Sequence, residues 1–436
     1  MEHKHLDSAA LERLLAIDRT AEQDELLFHL LSVCPGCRQE GGWLLELHEA
    51  RALPPLFGPI DAALARSRAE APRLLEELTA LDPQDLAQLQ ADQRFVSWGL
   101  CELLVRMSRQ TAPENATEAL RLAGLAVKIA DELSDVELFE EQWVYQLRSL
   151  ALASLGNARK VQGDLSGAER SFELADSWWD KGTADSEDAL GYEPIILDLK
   201  APLRTAQRRF AEAIDLLDRA VILFLEGEPA HRDPHLAGRS LISKAFVLIE
   251  QGESESAIQV LKKANGLIDP ARDPRLLLCV RHNLVDNLSK MGRPSEAADL
   301  LPDLRKLAAA HGSAGDHLRL QWVEGRIAAG LGDLHRARTL LAEVRQRFLA
   351  NDNPYEAALA TLDLVVPDLL DGKIAEVREL VDEMVAVFRD HDVPREALAA
   401  LLLFQEAARR ETATTDLARE VAVSLSKVRE STDMVL

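Results

Sequence analysis

Two cysteines and several histidines near the N-terminus are the residues of this sequence best suited to hold a metal ion. Cys34 and Cys37 enclose a Pro-Gly turn, and a C-x2-C turn can place both thiolates on one ion. His29 lies on the preceding helical stretch and can face the same point, while His5 or His3 can supply a fourth ligand. Four His and Cys ligands leave no open coordination position, so the sequence predicts a structural Zn²⁺ site.

The same residues allow two other interpretations. Cys34 and Cys37 could form a redox-active dithiol, but no strand–helix–strand pattern surrounds them, as a thioredoxin-like site would require. They could also be ordinary thiols, with the nearby histidines on the surface.

Residues 1–50 predict three short helices around this motif, with Ser8 at a cap position and a capping box beginning at Thr20. The pattern HLD…LLFHLLSVCPGCR resembles the zinc-binding anti-sigma domain, which has a distant His followed by His-x3-Cys-x2-Cys. Here four residues separate His29 from Cys34, so the last turn of that helix must tighten or unwind. The resemblance implies a module that occludes the polymerase-binding surface of a sigma factor.

A second pattern repeats along the chain from about residue 91. Its clearest copy has Gly163, then Ala168, Phe172 and Ala175. The small residue of the pattern recurs as Ala119, Ala168, Ala213, Ala257, Ala297, Ala337 and Val377, and the last four are 40 residues apart. The glycine suits a turn that needs a positive φ, and the small residue suits a close helix crossing.

This pattern resembles the tetratricopeptide repeat, a helix–turn–helix unit of about 34 residues, with longer helices or loops here. The resemblance implies an all-α fold, a solenoid of antiparallel helix pairs. We therefore predict a zinc-binding-like domain at 1–50, a helical linker region at 51–90 and a repeat array with C-terminal capping helices at 91–436.

Composition excludes several classes of protein. The net charge of −23 disfavours direct binding of nucleic acid. The longest apolar runs, such as Ala397–Phe404, are far shorter than the ~18 residues that span a bilayer. Four cysteines and a polar N-terminus without a signal peptide fit a cytoplasmic protein. Common nucleotide-binding and hydrolase motifs are missing from the sequence, so we expect no enzymatic activity.

The first helix of each tetratricopeptide-like pair is expected to line a groove. Placed in the repeat frame, the groove residues are mostly polar or charged: Asn157, Lys160, Asp198, Arg239, Ile242, Phe246, His282, Asp286, Lys290, Arg319, Trp322 and Arg326. Leu359, Leu362 and Val366 would form an apolar end. Arg and Trp are enriched at binding hot spots, so the pattern predicts an acidic or carboxylate-bearing peptide as ligand. Alternatively, some of these side chains are buried or paired within the chain.

The sequence leaves two functions open. The first is a regulatory protein whose N-terminal module sequesters a sigma factor or another signalling factor while the repeats bind a second protein. The second is a plain scaffold for complex assembly, in which the N-terminal unit is only a structural cap. An enzyme with an unrecognised site ranks below both.

Overall fold

A computed structural model describes residues 59–79, 93–112, 115–133, 140–184, 190–227, 231–391 and 395–433. In these ranges the chain forms α-helices joined by short turns, with one 3₁₀ turn at Gln93–Phe95 and no strand. None of the described helices is both long and apolar enough to cross a membrane. The predicted zinc ligands His5, His29, Cys34 and Cys37, and much of the predicted linker at 51–90, lie outside the described residues.

The chain divides into two compact units. One lies within Met1–Leu103 and Glu132–Glu140, and the other consists of Leu104–Asp131 and Glu141–Leu436. The described helices are α1 (Pro59–Thr79), α2 (Trp98–Thr111), α3 (Ala116–Glu132), α4 (Glu141–Val161), α5 (Leu165–Thr183), α6 (Glu193–Ala206), α7 (Phe210–Glu226), α8 (Pro234–Glu250), α9 (Ser254–Leu267), α10 (Pro274–Lys290), α11 (Pro294–His311), α12 (Ala314–Gly330), α13 (Leu334–Ala350), α14 (Pro354–Leu370), α15 (Ile374–Asp390), α16 (Arg395–Arg409) and α17 (Thr415–Asp433).

In the first unit, α1 crosses the start of α2 at very short range. The Gly99 amide donates a hydrogen bond of 2.9 Å to Ser67 Oγ. A Cβ on Gly99 would lie 2.2 Å from the Ser67 carbonyl oxygen, so no larger residue fits this crossing. Arg68 and Glu102 form a bidentate ion pair beside it.

From α4 onward the helices of the second unit form consecutive antiparallel pairs, because a turn of only a few residues reverses the chain between the two members. The pairs are α4/α5, α6/α7, α8/α9, α10/α11, α12/α13, α14/α15 and α16/α17. In each pair we call the two members the first and the second helix. α17 packs against α14 as well as against its own partner α16. This arrangement confirms the predicted helical-repeat solenoid of the tetratricopeptide type.

The small residues that define the sequence repeat are the most buried side chains of the second helices. Ala168, Ala213, Ala257, Ala297 and Ala337 are completely inaccessible to solvent, and so is Val377. Apolar residues four positions later, such as Phe172 and Leu341, are completely buried as well. Close-packed interiors respond to the addition of even one methylene group, so these positions fix the distance between paired helices.

The turns inside the pairs share one backbone geometry. Gly163, Gly252, Gly292, Gly332 and Gly372 have φ between 70° and 85°, as the sequence pattern predicts. In each turn the amide after the glycine donates to a carbonyl five residues earlier, for example Glu253 to Leu248 and Arg293 to Leu288. This bond is the Schellman closure of a helix C-terminus. Arg208 takes the same place after α6 with φ 60°, although it is not a glycine.

We expect Gly292→Ala to destabilise the second unit by about 1 kcal/mol, because an L-residue is disfavoured at positive φ. No atom outside Gly292 and its two chain neighbours lies within 4 Å of the position of the added Cβ, so crowding against the rest of the structure does not contribute to this cost. Arg208→Gly should raise the free energy of unfolding by about 0.5–1 kcal/mol, because it removes the same backbone penalty. Urea unfolding monitored by circular dichroism measures both changes.

Gly124→Ala is the matched control for the turn glycines. Gly124 lies inside α3, and a Cβ added there would likewise have no neighbouring atom within 4 Å. The same substitution there should stabilise the helix by about 0.5–1 kcal/mol. Equal effects of Gly124→Ala and Gly292→Ala would contradict the assigned role of the positive φ.

Candidate partner-binding face

Most first helices of successive pairs lie side by side. α4 contacts α6, α6 contacts α8, α10 contacts α12, and α12 contacts α14. We call the surface formed by these six helices the first-helix face. Side chains of neighbouring first helices meet there at intervals of about one repeat, as Arg326 and Asp286 do.

The predicted partner-binding residues all lie on first helices and differ in exposure. Lys290 and Arg319 are exposed. The remaining six are half-buried: Asn157, Lys160, Arg239, His282, Trp322 and Arg326. The predicted apolar end of the groove is wrong in part, because Leu359 and Leu362 are buried in the core between α14 and its neighbours.

Arg326 connects three successive first helices through ion pairs. Its guanidinium is bonded to Asp286 of α10 and lies 3.7 Å from the Oδ2 atom of Asp363 on α14. Lys290 Nζ lies 2.9 Å from the second carboxylate oxygen of Asp286. The side chains of Arg326 and Asp286 are only 16% and 17% exposed. Arg326 is therefore paired within the chain, which is the alternative that the sequence left open for the groove residues.

Trp322 joins this network through both its ring and its N–H group. Its Nε1 donates to Asp363 Oδ2 at 2.7 Å. Its ring meets Phe348 edge-on, with centroids 5.3 Å apart, and the Arg326 guanidinium lies 5.4 Å from its centroid. Trp322 thus packs against the core of α12 to α14 and orients Asp363 at the same time.

The two aspartates of this network have opposite pKa shifts. Burial alone would raise the pKa of Asp286, but Arg326, Lys290 and His282 outweigh burial and hold it below the ordinary value of 3.8. The pKa of Asp363 is raised, because burial outweighs the attraction of Arg326 and the hydrogen bond from Trp322. Burial would lower the pKa of Arg326, yet Asp286 and Asp363 raise it. Asp286 is therefore the stronger counter-ion of Arg326.

His282 lies on α10 one turn before Asp286. Burial lowers the pKa of His282, and the nearby charges of Arg326, Arg319 and Lys290 lower it further, against the opposing effect of Asp286. The imidazole is consequently neutral near pH 7. Of the predicted residues on this part of the face, Lys290 and Arg319 are the exposed cations, and among the described residues Arg319 has one long ion-pair contact, 3.8 Å to Asp316 on its own helix.

A second group of charges surrounds α6. Asp198 forms an ion pair with Arg109 of α2 and accepts a hydrogen bond of 2.7 Å from Ser240 Oγ of α8. Arg239 precedes Ser240 and makes no ion pair within the described ranges. The sequence pattern predicts Asp198 and Arg239 as face residues but not Arg109, because the contact of Arg109 with Asp198 spans 89 residues rather than one repeat.

Lys160 on α4 is another half-buried cation of the face. Burial lowers the pKa of Lys160, and none of the described carboxylates forms an ion pair with it. Asn157 lies one turn earlier on the same helix. Lys160 and Arg239 therefore carry positive charges that the described part of the chain leaves uncompensated by an ion pair.

Asp286→Asn should cost about 2–4 kcal/mol of unfolding free energy at pH 7, because it leaves Arg326 with only the weaker counter-ion Asp363. Asp363→Asn should cost less than about 1 kcal/mol, because the burial penalty of that carboxylate disappears with it. Urea unfolding of the two variants and the parent chain measures both losses of unfolding free energy and shows which is larger.

The two variants should also differ in their pH dependence. A lowered folded-state pKa contributes stability above the unfolded pKa, so the deficit of Asp286→Asn should persist down to about pH 5 and shrink below 3.8. A raised pKa contributes stability at low pH that is lost as the pH rises, so Asp363→Asn should improve relative to the parent chain between acid and neutral pH. If the unfolding free energies of both variants changed with pH in parallel, the opposite pKa shifts assigned to Asp286 and Asp363 would be contradicted.

No family model matches the chain, and no curated protein matches it. Among solved structures, a Rap protein complexed with Competence and Sporulation Factor has 15% identity and a TM-score of 0.49, over 77% of this chain and 88% of that one. Aspartyl phosphate phosphatase F from Bacillus subtilis has 10% identity and a TM-score of 0.43, over 99% of this chain and 97% of that one. Yeast Tom70 has 12% identity and a TM-score of 0.34, over 95% of this chain and 97% of that one.

These similarities are low. The assignment of the chain to the class of tetratricopeptide-like helical-repeat proteins therefore rests on its own helix pairs, buried small residues and turn geometry.

Proposed function

We propose that this chain is a non-enzymatic regulatory protein that binds a protein partner through the first-helix face. One observation carries the proposal: cations accumulate on this face in a chain of net charge −23. Lys160 and Arg239 are half-buried without a described ion pair, and Lys290 and Arg319 are exposed. Holding a partly buried cation without a counter-ion costs free energy, which a bound carboxylate would recover.

The charge distribution also limits the size of the partner's acidic region. The chain as a whole repels anions, and screening restricts the local attraction to about 8–10 Å at physiological salt. A short acidic segment placed on the first-helix face gains the local attraction without meeting the rest of the acidic surface. The proposed ligand is therefore an acidic or carboxylate-bearing peptide segment of a partner protein.

Double charge reversal on the face tests this proposal. Lys290→Glu with Arg319→Glu should weaken binding of acidic peptides by about tenfold or more, because two attractive contacts become repulsive. Binding is measured by fluorescence anisotropy on synthetic peptides graded in net charge from acidic to basic. Neutral and basic peptides should show no comparable preference for the parent chain.

Lys263→Glu with Arg347→Glu is the matched control. Both residues are exposed on second helices, α9 and α13, and the double substitution changes the net charge by the same amount. It should leave peptide affinity within about twofold, since it lies off the face. Equal loss in both double variants would show that net charge alone governs binding, and would contradict the proposed face.

The N-terminal module adds a finer proposal that rests on sequence alone. Residues 1–50 would bind one Zn²⁺ through His29, Cys34, Cys37 and His5 or His3, and would sequester a sigma factor or another signalling factor. The alternative is a plain scaffold in which this unit is only a cap. The proposed zinc ligands and the rest of residues 1–50 lie outside the residues that the structure describes.

Elemental analysis of chelator-washed protein should find one zinc per chain, and Cys34→Ser with Cys37→Ser should abolish it. Cys279→Ser is the control, since this thiol is exposed on α10 and lies outside the motif. A metal content near zero in the parent chain would contradict the zinc site. A stoichiometric complex with a co-expressed sigma factor, lost on removal of residues 1–50, would favour the regulatory function over the scaffold.

A further inference from the structure

The first-helix face is more deeply buried at α14 than at the three first helices before it. The helices α8, α10, α12 and α14 begin at intervals of 40 residues, so residues 40 apart occupy equivalent positions. Leu359 and Leu362 of α14 are 9% and 1% exposed. Their equivalents in α8, α10 and α12 are all exposed or half-buried: Arg239, Ile242, Cys279, His282, Arg319 and Trp322. A further element therefore covers the face at α14.

The C-terminal helix α17 is the element that lies on α14. It packs against α14 more extensively than against α16, its partner in the last pair. Among the other described pairs, no second helix makes a comparable contact with the first helix of the preceding pair. Ala418, Val421 and Leu425 of α17 belong to the same apolar cluster as Leu359 and Leu362. Their spacing places them on one stripe of the helix, so α17 lies on α14 through a single apolar face.

Apolar packing alone holds the described side chains of α17 in place. The hydrogen bonds and ion pairs of residues 415–426 stay within the helix or its cap, as between Arg419 and Asp416, and none of them reaches another described helix. By contrast, a hydrogen bond of 2.6 Å from Gln405 to Asp382 joins α16 to α15. Local opening requires less free energy where few buried contacts are broken, so α17 can leave its site without unfolding of the whole unit.

We propose that the apolar surface of α14 beneath α17 is a second partner-binding surface, which takes an amphipathic helix of a partner protein in place of α17. The helix that lies there shows the chemistry that fits, because its three buried side chains are small and aliphatic and are spaced three and four residues apart. Recognition of a helix by a groove uses anchors at this spacing. The surface is apolar, so it is independent of the acidic peptide proposed above.

In this arrangement α17 acts as a tethered competitor of the partner helix. α16 ends at Arg409 and α17 begins at Thr415, so the tether is short and the effective concentration of α17 is high. The apparent affinity for a partner helix is the intrinsic affinity reduced by the fraction of chains in which α17 is undocked. A substitution that weakens the docking of α17 must therefore tighten the binding of a partner helix.

This opposite sign gives the test, with a fluorescent synthetic peptide of the α17 sequence Thr415–Asp433 as the probe. Val421→Ala in the full chain removes two methyl groups from the docked side of α17 and leaves the peptide unchanged. The peptide should bind this variant about tenfold more tightly than the parent chain, as measured by fluorescence anisotropy. A peptide that carries Val421→Asp should not bind, because its apolar stripe is interrupted.

Val423→Ala is the matched control. It is the same substitution on the same helix, but Val423 is 54% exposed whereas Val421 is 2% exposed. The affinity of this variant for the peptide should remain within about twofold of that of the parent chain. If the peptide bound both variants equally, or did not bind Val421→Ala at all, α17 would be a fixed cap and the proposal would be wrong.

Hydrogen exchange of the parent chain gives a second measurement that needs no substitution. The amides of α17 should exchange at least about tenfold faster than those of α15, because they open locally. Equal protection of the two helices would show that α17 opens only on global unfolding, which would overturn the proposal even if Val421→Ala failed to fold.

Two more results separate this surface from the alternatives. Lys290→Glu with Arg319→Glu should leave binding of the α17 peptide to Val421→Ala unchanged, so loss of acidic-peptide binding and loss of this binding are read independently. A concentration-dependent dimer of Val421→Ala, detected by size-exclusion chromatography with light scattering, would make α17 of a second copy the occupant. That result would overturn the assignment to a partner protein.

Discussion

The close crossing of each helix pair at a single small residue is the constraint on which the second unit depends. Ala257, Ala297 and Ala337 have no accessible surface, and the chain returns to the same geometry every 40 residues. Val377 occupies the equivalent position and is equally buried, so the crossing accommodates a β-branched side chain as well as Ala. With the pair distance fixed in this way, the Schellman turn fixes the direction of the second helix.

The contacts on the first-helix face follow from this period. Arg326 and Asp286 are 40 residues apart, Trp322 and Asp363 are 41 apart, and Ser240 and Asp198 are 42 apart. Each contact joins a residue to its near-equivalent in the neighbouring repeat. Polar side chains at such positions meet across helices whether or not a ligand is present, and the structure uses some of them to hold neighbouring pairs together. The face is therefore both a packing surface and a candidate binding surface.

Much of this could be predicted from the sequence. The glycines, the buried alanines and the membership of Trp322 and Arg326 in one face follow from residue type and spacing. Whether Arg326 is free or paired could not be predicted, because that depends on the depth of Asp286 and Asp363 between helices. Arg109 was out of reach for a different reason. Its contact with Asp198 spans 89 residues and two repeats, so it depends on how adjacent pairs are rotated rather than on the period.

The two charge groups differ in a way that bears on recognition. In the group on α10 to α14, Arg326 and Lys290 face Asp286 and Asp363, so its inner charges are balanced and only Arg319 and the outer end of Lys290 attract a ligand. In the group on α2 to α8, Arg109 is paired with Asp198, and Arg239 has no ion pair among the described residues. A half-buried cation without an ion pair in the described residues therefore remains at the α2 to α8 end, where partial burial makes its charge more effective than in water. For a partner segment bound along the face, as proposed, the exposed cations Lys290 and Arg319 would contribute mainly to the rate of association.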